Sequence, residues 1–267
     1  GNDPQSYLHF NHFMIWPNGD LSIASPIEIV TYSNSHQFIN KKRCENVGYI
    51  EAITLLNDSL YIIKCMPTPE QLRYRIINHH TGAIINSYDS IINCNRYISS
   101  FTNSFERYEG HIISHGYQSN DILECTLDSS KIRYKINVDN RIPPAGFYTQ
   151  EGKEGMQLIQ EEAEKGYIGH IPDYVESKET ILLSFKGKRE DLNGIALIDK
   201  KDGNARVLEN IKFDDNFRWL PKQFFSLDEG WCAMLMYPED VLKKEEFARR
   251  FPGLDEESNP VLFIGKL

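Results

Sequence analysis

Basic residues are in the minority in this 267-residue chain: 29 Lys and Arg stand against 38 Asp and Glu, for a formal charge of −9 at pH 7 and a pI near 5.4. Phosphate recognition needs a basic footprint, so nucleic acid is excluded as a partner. Long apolar runs are missing too. No stretch approaches the roughly 20 residues of a membrane-spanning helix, and no cleavable leader is found. Gly1 stands where an initiator Met would, so the chain is read as lacking its native N-terminus and the address it carried. Cysteine is sparse: five residues with no CxxC pair and no zinc spacing, which removes the metal-stapled classes. Walker loops, dinucleotide fingerprints, HExxH, GxSxG and EF-hand loops are absent as well. No cofactor or metal site is read, and no catalytic motif.

What is present is a repeat. The stretch Gly194–Leu208 reads GIALIDKKDGNARVL, two apolar runs around the polar turn 199–203. An Asp that can bond its own backbone, followed by a Gly free to take positive φ, is the chemistry of a tight hairpin. The device recurs at Asn78 with Gly82, at Asp128–Ser130 and at Asn34. Turn centres near 35, 80, 129 and 201 give intervals of about 45, 49 and 72 residues. The first two match the roughly 40–50 residues of a propeller blade.

In chain order, residues 1–7 read as a frayed terminus, and short strands rich in Ile, Tyr and Phe follow from Leu8 in sets of four. The rhythm breaks at residues 139–166. There Pro143-Pro144 marks a loop, and Met156, Ile159 and Ala163 fall at helical spacing before Gly166, a C′ residue. This insert accounts for the long third interval. A second insert, residues 238–251, opens on Pro238 and ends on Arg249-Arg250, in sense with a helix dipole. Leu242 and Phe247 are its expected buried anchors. The closing run NPVLFIGKL reads as a strand buried on both faces. Five four-strand units are countable, and the expectation is an all-β single-domain β-propeller over residues 1–267.

Four stretches carry a family resemblance: Gly166–Phe185 (GYIGHIPDYVESKETILLSF), the hairpin LIDKKDGNARVL, Phe213–Leu235 (FDDNFRWLPKQFFSLDEGWCAML), and Asn259–Leu267. Together they resemble the six-bladed β-propeller proteins of Bacteroidetes, exported proteins often anchored as lipoproteins. The likeness covers Ile142 to Leu267 closely and the first 140 residues through blade rhythm. It implies six blades, so the five countable units leave one to be found. It also implies a periplasmic or outer-membrane-associated protein. The family brings no agreed catalytic residues.

The chemistry is weighed residue by residue. His111 and His115 lie four apart on a strand, roughly 13 Å at about 3.3 Å per residue, too far to share a metal ion. Asp173 with Glu176, and Asp214 with Asp215 near Trp219, are the carboxylate pairs a glycan-cleaving propeller would need. Their ordinary reading is turn chemistry and strand ends. Cys44 and Cys94 occupy matching positions before the next repeat, which leaves a bridge between neighbouring blades open as an alternative to free thiols. Trp16, Trp219 and Trp231 are read as packing between blades.

The leading strand of each blade lines a propeller's channel, and on this register those strands bring Glu51, Arg96, His170, Asp173 and Trp219 to one mouth. Both charge signs with an imidazole and an indole suit a polar ligand with an apolar face. The expectation is a binding or interaction module for a small molecule, carbohydrate or protein ligand, without catalysis. The alternative is a propeller glycoside hydrolase or polysaccharide lyase using carboxylates at the ring axis.

Overall fold

A computed structural model describes residues 10–44, 47–65, 72–90, 105–115, 120–138, 141–144, 146–150, 152–153, 155–169, 171–209, 211–214, 217–219, 221, 223–228, 230–243 and 245–267. The chain is an all-β propeller whose antiparallel strands follow one another in sequence within each blade. The first sheet runs β1 (His12–Ile15), β2 (Leu21–Ala24), β3 (Glu28–Tyr32) and β4 (Phe38–Arg43). The second runs β5 (Ile50–Leu55), β6 (Leu60–Cys65), β7 (Leu72–Asn78) and β8 (Ile84–Ser90). The third comprises β9 (Glu106–Tyr108), β10 (His111–His115), β11 (Asp121–Cys125) and β12 (Ser130–Lys135).

A helix, α1 (Gly155–Lys165), precedes the fourth sheet, β13 (Tyr174–Glu176), β14 (Thr180–Phe185), β15 (Gly194–Asp199) and β16 (Ala205–Val207). A two-stranded sheet, β17 (Ile211–Asp214) and β18 (Phe217–Trp219), comes next. The last is three-stranded: β19 (Phe224–Asp228), β20 (Trp231–Met236) and β21 (Val261–Lys266), with α2 (Pro238–Leu242) and α3 (Glu245–Arg250) between β20 and β21. Five units are countable as blades, and six sheets occur among the described residues.

The repeated turns form as their residues dictate. Asn78 Oδ1 accepts from the N–H groups of His80 and Thr81, both at 3.0 Å, and Gly82 closes the turn at φ 73°. Asp199 does the same for Lys201 at 2.8 Å, with Gly203 at φ 74°. Side chains that bond the local backbone leave the flanking strands free to ladder.

Two compact units emerge: residues 1–105 with 111–169, and residues 106–110 with 170–267. In the first, the second sheet is apolar on both faces. Ile53, Ile63 and Cys65 pack with Met14, Trp16 and Ile29 of the first sheet. On the other side, Ile62, Tyr74 and Ile76 pack with Ile112 and Leu123 of the third. That is why β6 is almost unbroken in its apolar run: both of its faces are interior. The core of the second unit joins Val175, Leu182, Ile195, Phe224, Met234 and Met236.

Several expectations are corrected. The insert helix forms, and Gly166 ends it with Tyr167 N–H on the Glu162 carbonyl (3.0 Å) and Gly166 N–H on that of Ala163 (3.2 Å), a Schellman closure. Its inward stripe is Gly155, Leu158 and Glu162, however, and Met156 is 71% exposed. Leu158 sits against Phe147 and Tyr148, which rotates the helix one residue from the apolar stripe. The second insert is two short helices instead of one. Pro238 and Val241, one turn apart, face inward, so Leu242 rotates out; the Phe247 side chain lies outside the described residues. Strand β21 is an edge strand buried on one face only: Val261 and Phe263 join the core while Leu262 and Ile264 are 54% and 59% exposed. Trp16 packs between sheets as expected, but Trp231 shares the outward face of β21, opposite Lys266. Cys44 is a free thiol, and Cys94 lies outside the described residues.

Candidate functional site

Glu51 is the second residue of β5, the first strand of its sheet. The ladder between β5 and β6 slips there: Ile50 faces Cys65 and Ala52 faces Lys64, so Glu51 is the bulged residue. A bulge re-aims a side chain without breaking the sheet. Lys64 and Arg73 occupy adjoining ends of β6 and β7 and are almost wholly buried. Arg73 Nη2 donates to the His115 carbonyl at 2.7 Å, and Tyr74 OH lies 2.9 Å from Ser114 Oγ, so the second sheet is fastened to β10 beside the cluster. Among the described residues, Lys64 Nζ and Glu51 Oε2 are buried without a hydrogen-bond partner. Such groups are uncommon in folded proteins, and each calls for a reason.

Burial dominates the electrostatics. It raises the Glu51 carboxyl against the pull of Lys64 and Arg73. It drives the Lys64 ammonium down to about 7, with Arg73 adding to the effect and Glu51 opposing it. His12, at the start of β1, falls to about 4 for the same first reason, with the charge of Lys64 contributing. Each of these shifts runs towards the neutral form of its group, and a neutral carboxyl or amine can both donate and accept. Neither Lys64 nor Arg73 was singled out from sequence. A lone Lys in LYIIKC and the alternating Arg in LRYRIIN were the available signal, since a charge inside an apolar strand has to be accommodated somewhere.

The second unit holds Asp173 just ahead of β13, the first strand of its sheet. Ser184 Oγ donates to its Oδ2 at 2.6 Å and accepts from its N–H at 3.1 Å. Burial pushes this carboxyl up to about 6, opposed by the Ser184 bond and the Lys186 charge. Glu176, three residues on, points to the opposite face of the extended segment. It takes Tyr174 OH at 2.7 Å and Lys200 Nζ at 2.7 Å. The two carboxylates are thus engaged by separate partners.

Trp219 closes β18 opposite Ile211 and does not lead the last sheet, whose first strand is β19. Its side chain, that of Asp214, and Arg96, His170 and Asp215 lie outside the described residues. His111 and His115 lie on a strand, as read; His111 Nδ1 lies 3.0 Å from Glu124 Oε1. Among the described residues no three His, Cys, Asp or Glu side chains gather as a metal site, and no helix is long and apolar enough to cross a membrane. The second unit also contains a cavity of about 360 Å³ between the β9–β10 turn, the β13–β14 turn and the end of β21, lined by Tyr108, Glu109, Lys178, Glu179 and Lys266 among others.

Comparison with known proteins agrees with this architecture. A family model described as 6-bladed beta-propeller matches residues 1–226. No curated protein matches the chain. Among solved structures, a candidate exported protein of Bacteroides fragilis superposes with a TM-score of 0.75 at 10% identity, covering 100% of this chain and 80% of that one. A member of the DUF4221 family from Bacteroides vulgatus gives 0.53 at 10% identity, covering 100% and 81%. At such identities the likeness concerns the fold.

Proposed function

We propose that this chain, which belongs to the DUF5128 family of six-bladed β-propeller proteins, is a non-catalytic binding module for a neutral, hydroxyl-rich ligand of the carbohydrate class. One observation carries the reading: Glu51 Oε2 and Lys64 Nζ are buried side-chain atoms with no hydrogen-bond partner among the described residues. Burial shifts the carboxyl and the amine towards their neutral forms, and a sugar hydroxyl, donor and acceptor at once, complements both. Glu51 itself is only half-buried, which leaves it within reach of a ligand. Export to the periplasm or outer-membrane surface belongs to the same reading, supported by the Bacteroides neighbour described as a candidate exported protein.

A glycan array followed by calorimetry tests the binding. The parent protein should bind a subset of glycans weakly. Glu51→Gln, which keeps a neutral hydrogen-bonding head, should retain binding, whereas Glu51→Leu and Lys64→Met should lose it while the melting temperature is held or raised. Absence of any glycan binding, or binding indifferent to Glu51→Leu, overturns the reading. Fractionation of producing cells tests the location.

A further inference from the structure

Among the described residues, the cavity of the second unit is lined by two Glu and two Lys that form no ion pair with one another. Glu109 of the β9–β10 turn, Lys178 and Glu179 of the β13–β14 turn and Lys266 at the end of β21 line a space of about 360 Å³, at the small end of ligand cavities, which start near 300 Å³. Among the described residues none of the four forms an ion pair. Lys266 Nζ lies 5.6 Å from the centre of the Trp231 ring, and Glu109 Oε1 accepts from Tyr108 OH at 3.0 Å.

The walls are held rigidly. The turn that bears Lys178 and Glu179 is locked by Ser177 Oγ, which accepts from Thr180 N–H at 2.9 Å. It is locked again by Lys200 Nζ, which donates to the Ser177 carbonyl at 3.0 Å. Opposite, Glu109 has φ 48° and Gly110 φ 78°, so both central residues of the hairpin are left-handed. That first position suits Asn or Gly, and a Glu there is strained. The residue held in this left-handed conformation is a Glu that lines the cavity.

We propose that this cavity binds a small zwitterion, a free amino acid or dipeptide with both termini unblocked. Its ammonium group would meet Glu109 and Glu179, and its carboxylate Lys178 and Lys266. An anion such as phosphate would face the two carboxylates, and a polyamine the two lysines. A neutral sugar would leave four full charges without counterparts.

Titration of the amide spectrum with glycylglycine, its N-acetyl derivative and its C-terminal amide tests the assignment. The free dipeptide should move the amide signals of residues 108–110 and 177–180, and each blocked form should bind at least about tenfold more weakly, having lost one charge-assisted contact. Glu109→Gln should lose the preference for a free amine. Glu109→Gly should weaken binding while raising the melting temperature, because glycine relieves the left-handed strain. Equal binding of the blocked forms, or no movement at those amides with excess dipeptide, overturns it. The site is independent of the Glu51 cluster, so the glycan experiment and this one fail separately.

Discussion

Lys200 Nζ lies 2.7 Å from Oε1 of Glu176, a carboxylate whose side chain has no solvent exposure, and 3.0 Å from the Ser177 carbonyl. One cation thereby neutralises a buried charge and holds the adjoining turn. Removing one partner of such a pair leaves the other charge uncompensated, at a cost of roughly 3–5 kcal/mol. Lys200→Met should therefore destabilise the protein by roughly 3 kcal/mol in denaturant unfolding, the low end of that range because Tyr174 OH still bonds Glu176. A loss below about 1 kcal/mol, the worth of an exposed pair, would mean that the tyrosine suffices.

Asp173 makes stability depend on pH in an unusual sense. Its carboxyl is raised from 3.8 to about 6 in the folded protein, chiefly by burial. Between those values the folded state binds more protons than the unfolded one, so stability is full below pH 4 and falls as pH rises towards 6. The shift spans about two pKa steps, each worth about 1.4 kcal/mol. Asp173→Asn keeps a polar partner for Ser184 and removes the charge. It should raise the melting temperature at pH 7.5 and flatten the pH 4–6 limb of the stability curve. An unchanged limb would mean that the carboxyl is already hydrated.

The blade rhythm was readable because each outer hairpin closes through local chemistry, Asn78 with Gly82 or Asp199 with Gly203, and needs no distant partner. What the periodicity missed was decided by tertiary neighbours. Gly155, Leu158 and Glu162 form an inward stripe that no hydrophobicity pattern reveals, because one member has no side chain and another is charged. In VLFIGK every apolar position suits either face, so the exposure of Leu262 and Ile264 follows only from the edge position of β21. Glu51 was legible as a residue near the start of its strand. Lys64 and Arg73 were not, because what marks them out is burial across two sheets, which strand-length patterns do not encode.

Two glycines with the same backbone conformation separate strain from crowding. Gly82 and Gly230 have φ 73° and 79°. A Cβ at Gly82 meets open space, whereas one at Gly230 would lie 2.8 Å from Ser177 Cβ. Alanine at position 82 should lose only the left-handed penalty, about 1–2 kcal/mol. Alanine at position 230 adds an overpacking term of about 1–3 kcal/mol and displaces the β13–β14 turn. Equal melting temperatures for the two variants would show that the turn yields freely.

Val241 and Leu242 are adjacent in α2 and have opposite fates: Val241 is fully buried among Phe224, Met234 and Met236, whereas Leu242 is 38% exposed. Leucine is the larger and more apolar side chain, so composition alone would make it the anchor. Pro238 fixes the first turn of the helix and is itself buried, which leaves the position three residues later on the inward face. Deleting buried methyl groups forfeits transfer energy and leaves a cavity, so Val241→Ala should cost roughly 2 kcal/mol. Leu242→Ala, on the wetter face, should change stability by less than about 1 kcal/mol, since only part of its burial is at stake. Chemical denaturation of the two variants side by side decides the orientation. A larger loss at Leu242 than at Val241 would mean that the helix is rotated by about one residue, some 100° about its axis.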